Sequence, residues 1–233
     1  MALSDRYRTA WDGYWEQSSG AEGEPFWDAG AAVTAGRDIA LLEPHADPAL
    51  PIADLGCGNG TQTRFLATRF AAAVGVDLAA AAVAHARRAD PAGVASYEQL
   101  DLTDGPGARA LHARLGDAHV YLRAVLHQSD PEDRPAVAAT VAALLGDRGR
   151  ALVLEPTDEA EAVMRTVGPT PKLLRVREHD LRPGRVADGE VAELLRGAGL
   201  RILEQGSTAL VMSEVRADGS PVELPARWFV AGR

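Results

Sequence analysis

With a single cysteine, Cys57, in 233 residues, the chain has no means of forming an intramolecular disulfide or a cysteine-rich zinc site. It also lacks long hydrophobic runs. Met1 to Thr9 (MALSDRYRT) mixes charged and apolar residues without the apolar centre of a signal peptide, and no stretch is apolar enough for a membrane span. A soluble, cytoplasmic protein is expected. Positive charge is in deficit too: the formal net charge of −9 repels nucleic acid phosphates over much of the surface, although a local basic patch is not forbidden. No repeat of about 20 to 50 residues is present, and the length allows one large domain or two small ones around a substantial core.

What the chain does contain is alternation. Pro51 to Leu55 (PIADL), Ala72 to Asp77 (AAVGVD), Val94 to Leu102 (VASYEQLDL), Ala118 to Val125 (AHVYLRAV) and Arg150 to Glu155 (RALVLE) have the character of strands. Helical stretches lie between them at Thr61 to Phe70, Ala79 to Arg88, Gly107 to Leu115 and Arg134 to Leu145. Near-continuous apolar strands linked by helices build a parallel sheet covered on both faces, an α/β doubly wound fold. The ends depart from that pattern. Ser4 is placed to cap a helix in which Tyr7, Ala10, Trp11, Tyr14 and Trp15 share one face. Ala209 to Val215 and Val222 to Val230 flank the turn ADGS and predict an antiparallel hairpin.

The stretch DLGCGNGTQT, residues 54 to 63, follows the first strand and opens the first helix. Gly56, Gly58 and Gly60 permit positive φ and a close approach of ligand to backbone, next to the unpaired N–H groups of a helix start. Asp77 ends the second strand about twenty residues beyond Gly56, a spacing suited to ribose hydroxyls. A dinucleotide fingerprint shares this logic, but Asp54, two residues before Gly56, would repel a pyrophosphate and attract an ammonium group. The ligand expected is one with a ribose and a positive charge but no phosphate. Cys57 has no visible base and is expected only to fit a crowded turn.

These residues resemble the class I S-adenosylmethionine-dependent methyltransferases, over roughly Ile52 to Arg233. ADLGCGNG is similar to that family's first motif. GVDLA, Gly75 to Ala79, is similar to its second-strand motif, in which the acid, here Asp77, binds both ribose hydroxyls beside Leu78. LDLTD, Leu100 to Asp104, is similar to the segment whose aspartate, here Asp101 before Leu102, meets the adenine amino group; a plain helix-capping role for Asp101 stays open. The resemblance implies a mostly parallel seven-stranded sheet ending in an antiparallel hairpin. With the aromatic N-terminal helix and the basic interruption after the fifth strand, the expected organisation is an N-terminal helical cap over residues 1–45 and a Rossmann-like domain over 46–233, with a lid-like insertion near 157–187.

Catalysis falls in VYLRAVLHQSDPED, residues 120 to 133, which is similar to the stretch carrying the histidine base of plant and bacterial O-methyltransferases. On that match His127 deprotonates a hydroxyl during attack; the alternative is a packing or cofactor-contacting histidine. Arg123 has two readings: a contact to the cofactor's carboxylate or an acidic substrate, or a pair with a surface carboxylate. Trp15, with Trp27 nearby, either covers the sulfonium by a cation–π contact or belongs to a hydrophobic cluster. Gly168 to Arg185 holds five basic residues against Glu178 and Asp180, as a lid or as a solvated loop. No Asp, His and Asn constellation for a metal is seen.

The expectation is therefore methyl transfer from S-adenosyl-L-methionine to a small molecule, most readily an oxygen of a secondary or natural-product metabolite. The partners expected are a small-molecule acceptor, no nucleic acid and no membrane, for a monomer or homodimer. The alternatives are an N-methyltransferase of a small amine, or a protein that binds the cofactor without methyl transfer.

Overall fold

Strand β1 (Ile52–Leu55) is buried along its whole length, and β2 (Ala73–Asp77) and β4 (His119–Arg123) are buried up to their last residue. This is the burial that a sheet covered on both faces imposes. The computed structural model describes residues 3–181, 184–187, 189–216 and 218–233, with side chains from residue 7 onward. With β3 (Ser96–Gln99), β5 (Ala151–Pro156), β6 (Arg201–Val215) and β7 (Pro221–Gly232), the strands form one sheet in the order β3-β2-β1-β4-β5-β7-β6. All pairs from β3 to β5 are parallel, while β7 runs antiparallel to both β5 and β6. The order reverses between β1 and β4, and the crevice beyond the C-terminal ends of those strands is where such sheets hold ligands.

Alternate side chains of the strands feed two cores. Ala53, Leu55, Val120, Leu122 and Val153 pack with α5 (Gly105–Leu115), α6 (Arg134–Leu145) and α9 (Glu190–Gly197). Ile52, Tyr121, Leu152 and Leu154 pack with α2 (Ala35–Leu42), α3 (Thr61–Leu66) and the hairpin. Helix α1 (Leu3–Glu16) lies against α4 (Ala80–Ala89), burying Tyr14 and Trp15 against Ala79, Ala82 and Leu181, as its aromatic face predicts. The proposed Ser4 cap lies outside the described side chains, and Ala217 of the hairpin turn lies outside the described residues.

Three of the boundaries that differ from expectation do so for a clear local reason. The Asp90 carboxylate accepts the N–H groups of Val94 and Ala95, folding those residues into a turn so that β3 begins only at Ser96. On the far side Asp101 accepts from the Thr103 N–H and hydroxyl, which turns the chain out of the sheet. Strand β6 starts eight residues earlier than the apolar run, because RILEQGST is the outer edge of the sheet, paired only with β7 and largely exposed. A polar edge strand leaves no hydrophobic signature.

The segment near 157–187 carries two helices, α7 (Glu159–Val167) and α8 (Pro171–Glu178). Thr170 caps α8 by accepting from the Leu173 N–H, with Pro171 at its first position. Arg182 and Pro183 of the basic run lie outside the described residues. Among the described residues no helix is long and apolar enough to cross a membrane.

Candidate active site

A cavity of about 570 Å³ lies beyond the C-terminal ends of β2, β1, β4 and β5 and continues over β7 and β6. Trp15, Gly56, Gly58, Asp77, Leu78, Asp101, Leu102, Arg123 and His127 all border it. Residues scattered over more than a hundred positions are thus gathered at one crevice.

Gly56 and Gly58 have φ of 77° and 54°, conformations that carry little cost only for glycine. Space is equally restrictive. A Cβ on Gly56 would stand 2.7 Å from Val125 Cγ2, and one on Gly58 would stand 2.9 Å from Trp15 Cζ2. The loop is therefore wedged between the β4 turn and helix α1, with its backbone facing the cavity. Behind it the Cys57 thiol is pushed far up by burial, reinforced by Asp77 and Asp54, and is no nucleophile.

Asp77 accepts the Gly58 N–H on Oδ2 and the Ala79 N–H on Oδ1, both at 2.9 Å. A carboxylate has about four acceptor sites, so capacity remains on the cavity side. Burial, opposed by those two N–H groups, pushes it up to about 6. Asp54 is the residue of the predicted set that the structure does not bring to the cavity wall: it is buried under the glycine loop, accepting the Thr63 hydroxyl at 2.5 Å. Burial, opposed by that hydrogen bond and reinforced by Asp77, pushes it up to about 7. Its influence on a ligand is through its field rather than by contact.

Asp101 holds the turn through Thr103, pairs with Arg8 at 3.2 Å and borders the cavity, while the N-cap position of the following helix falls to Asp104. Arg123 is committed to the protein. Its guanidinium lies 3.4 Å from buried Asp38 and donates to the carbonyls of Val211 and Trp27, so its partner is an internal carboxylate and not a surface one. Asp38 also accepts the Tyr121 hydroxyl at 2.7 Å.

The chain beyond β4 turns sharply at Ala124, whose φ of 58° is uncommon outside glycine. The turn is held by one residue that sequence reasoning passed over. Glu155, 2% exposed at the end of β5, accepts the N–H groups of Val125 at 2.8 Å, Leu126 at 2.7 Å and His127 at 3.2 Å. It also meets His127 Nδ1 at 2.8 Å. A carboxylate there fixes the tautomer with the proton on Nδ1. Nε2 then accepts from the Gln128 side-chain amide at 2.8 Å. The signal for Glu155 was an acid ending the otherwise apolar run ALVLE.

Trp11, Tyr14, Trp15 and Trp27 form one ring cluster, with Trp27 centred 5.4, 5.3 and 6.4 Å from Trp11, Tyr14 and Trp15. Three of the four, Trp11, Trp15 and Trp27, also face the cavity. Among the described residues no group of His, Cys, Asp and Glu is arranged to hold a metal.

Residues 52–149 match a family model described as a methyltransferase domain. The whole chain superposes on 96% of an S-adenosylmethionine-dependent methyltransferase from Anabaena variabilis, with a TM-score of 0.88 and 28% identity over 100% of its length. At 17% identity and a TM-score of 0.61, 99% of it matches 98% of the magnesium protoporphyrin IX methyltransferase of Synechocystis, solved with bound S-adenosylhomocysteine. At 20% identity and a TM-score of 0.69, 97% of it matches 92% of a protein solved in a study of disulfide-to-thioacetal conversion in echinomycin biosynthesis. The latter two likenesses concern the fold alone. No curated protein matches by sequence. Sheet order, terminal hairpin and glycine crevice define a class I, Rossmann-like methyltransferase. The chain is an S-adenosylmethionine-dependent methyltransferase, with its methyltransferase domain centred on residues 52–149.

Proposed function

We propose that the protein methylates an oxygen of a small-molecule acceptor, with His127 as the base. The observation that carries this is the His127–Glu155 pair at the cavity wall just beyond β4, at 2.8 Å. The residues present fit S-adenosylmethionine: the glycine loop exposes backbone where side chains would collide with Val125 and Trp15, and Asp77 keeps acceptor capacity beside it. Asp77 holds the ribose hydroxyls, Asp101, Leu78 and Leu102 border the adenine, and Trp15 covers the loop from above. When bound, the donor supplies a methyl group on a positively charged sulfur, open to in-line attack.

The protein's own work is alignment and proton removal. An acceptor hydroxyl replaces the Gln128 amide as the donor to His127 Nε2 and gives up its proton there as its oxygen bonds to the methyl carbon, the methyl–sulfur bond breaking and the neutral thioether S-adenosylhomocysteine leaving. Glu155 holds Nδ1–H and stabilises the imidazolium so produced, and the proton then leaves to water at the cavity mouth. Residues 1–45 act as a cap through Trp15, Phe26 and Trp27. A small acceptor agrees with a concave cavity of about 570 Å³ and a net charge of −9, in a cytoplasmic monomer or homodimer.

Titration calorimetry with S-adenosylmethionine, S-adenosylhomocysteine and NAD tests the first half of this reading: the first two bind and NAD does not. His127→Ala tests the second, because loss of a base lowers kcat while donor affinity is retained.

A further inference from the structure

The part of the cavity beyond His127 is not needed by a donor seated between the glycine loop and Asp101. Across the sheet, Asp101 follows β3, Asp77 ends β2, Gly56 follows β1 and His127 follows β4. The space then continues over β5, β7 and β6, where its walls change character. Leu210 of β6 faces Leu224 of β7 in direct register, and Met212 is two residues further along the same strand face. Helix α7 contributes Ala160 and Met164, one turn apart, and α8 contributes Leu173 and Val176. Phe26 and Trp27 complete the lining.

An open apolar chamber is not what folding alone leaves behind, since interiors close to crystal density and each unfilled wall forfeits dispersion contacts. Two methionines among the lining residues give walls that adapt to a flat or branched shape. Charge is distributed unevenly around this space. The donor side carries Asp77, Asp101, Asp130 and Asp133, the last raised by its own burial and by Asp130, Asp101 and Glu132. At the far mouth Asp158 is paired with Arg185 and Glu161 with Arg165. Arg177, one residue past Val176 on α8, also lines the cavity, with no side-chain partner among the described residues.

We infer that the acceptor is an amphipathic acid: an apolar, aryl-sized body that fills the chamber over β5, β7 and β6, presents a hydroxyl to His127 and places a carboxylate at Arg177. This rests on the methyltransferase reading of the site and narrows its substrate class. A carboxylate at the other end of such a molecule would meet the aspartates of the donor side and be repelled, so Arg177 also fixes which way round the acceptor enters.

The test uses full-length protein saturated with S-adenosylhomocysteine and two probes, 6-hydroxy-2-naphthoic acid and 2-naphthol, followed by their fluorescence. Both are expected to bind, the acid roughly fivefold more tightly, as an exposed ion pair provides. Arg177→Gln removes that preference without weakening 2-naphthol. Met164→Trp fills the chamber and weakens both probes about tenfold or more, while the affinity for S-adenosylhomocysteine stays within about twofold. If Met164→Trp loses that affinity through misfolding, Leu173→Trp on α8, which shares an apolar cluster with Met164, repeats the measurement. Protein that binds S-adenosylhomocysteine but neither naphthyl probe, or binds both equally, overturns the inference and leaves the methyltransferase reading intact. Failure to bind S-adenosylhomocysteine at all overturns the reading on which it rests.

Discussion

His127 lies on the turn after β4 and Glu155 in the last residues of the neighbouring strand β5, and a 2.8 Å contact from Nδ1 to Oε2 ties them. The same carboxylate holds three successive backbone N–H groups, those of Val125, Leu126 and His127. One side chain therefore builds the turn and orients the ring that the turn carries. Its charge is matched by no cation within the turn, so the imidazolium formed during proton transfer is its natural counter-ion.

Replacing the two partners separates these roles. His127→Ala is expected to lower kcat by about 10² or more, the lower bound for a positioned base, with donor affinity within a few-fold and partial rescue by added imidazole. Glu155→Gln keeps the shape but loses the charge, and is expected to lower kcat by about tenfold or more with little change in acceptor KM. Glu155→Ala leaves N–H groups unpaired and costs about 1–3 kcal/mol of stability for each one left buried, read as a lower Tm. A His127→Ala enzyme that keeps near wild-type kcat would leave alignment as the whole of catalysis and make an amine or an already ionised acceptor the better candidate.

Asp77→Ala is expected to weaken S-adenosylmethionine binding by about 2–3 kcal/mol through loss of two charge-assisted hydrogen bonds to ribose hydroxyls. Calorimetry on a folded variant decides it. Unchanged affinity would remove the ribose assignment and, with it, the register in which the glycine loop has been aligned with a nucleoside.

How much of this was legible follows from how local each feature is. The glycine loop and Asp77 could be found because their chemistry is written in short segments around two strand ends, and the strand-helix alternation sets their positions in a parallel sheet. Glu155 could not be assigned to His127, because their meeting depends on β4 and β5 being neighbours in a particular register, with Arg123 opposite Leu154. The sequence left Arg123 between a ligand carboxylate and a surface carboxylate because its actual partner, buried Asp38, lies 85 positions earlier on a short helix. The basic run after residue 168 was balanced between lid and solvated loop, since charges alone do not tell which of them find carbonyls. Lys172 does, donating to the Gly23 carbonyl at 2.7 Å and to both oxygens of Ser213, and Arg175 pairs with Glu24.

Those tethers make α8 a fixed wall with its apolar face inward. Lys172→Met together with Arg175→Gln is expected to raise acceptor KM several-fold while leaving donor affinity nearly intact, because the donor half of the cavity is formed by the strand ends and α1. Steady-state kinetics with both substrates varied checks it. A parallel loss of donor and acceptor affinity would mean that α8 closes over both ligands, and the division between the two halves of the cavity would be wrong.

The two raised aspartates at the glycine loop, Asp77 and Asp54, give the binding reaction a pH dependence of defined sign. Burial lifts Asp77 to about 6 and Asp54 to about 7, against about 3.9 in an unfolded chain. Between those values the folded, ligand-free protein holds protons that the unfolded chain has released, so stability falls as pH rises through this interval. Asp28 and Asp38 are shifted in the same direction, chiefly by burial. Glu24 moves the opposite way, lowered to about 2 because hydrogen bonds from Ser19, Arg175 and Ser18 outweigh its burial. Its stabilising contribution is lost only in stronger acid, so it is silent above about pH 5. The ligand-free protein is thus expected to melt higher at pH 5.5 than at pH 8, by a smaller margin in Asp77→Asn. Donor binding runs in the other direction. Ribose hydroxyls donate to the ionised carboxylate, and a positively charged ligand favours both ionised aspartates, so affinity rises from pH 5 to 8 by about tenfold for one proton released near pH 6. Calorimetry in buffers of different ionisation enthalpy reads that proton directly. Affinity that stays flat across this range, with no proton released, would show that Asp77 is already ionised without the ligand and that the buried pair contributes nothing to binding.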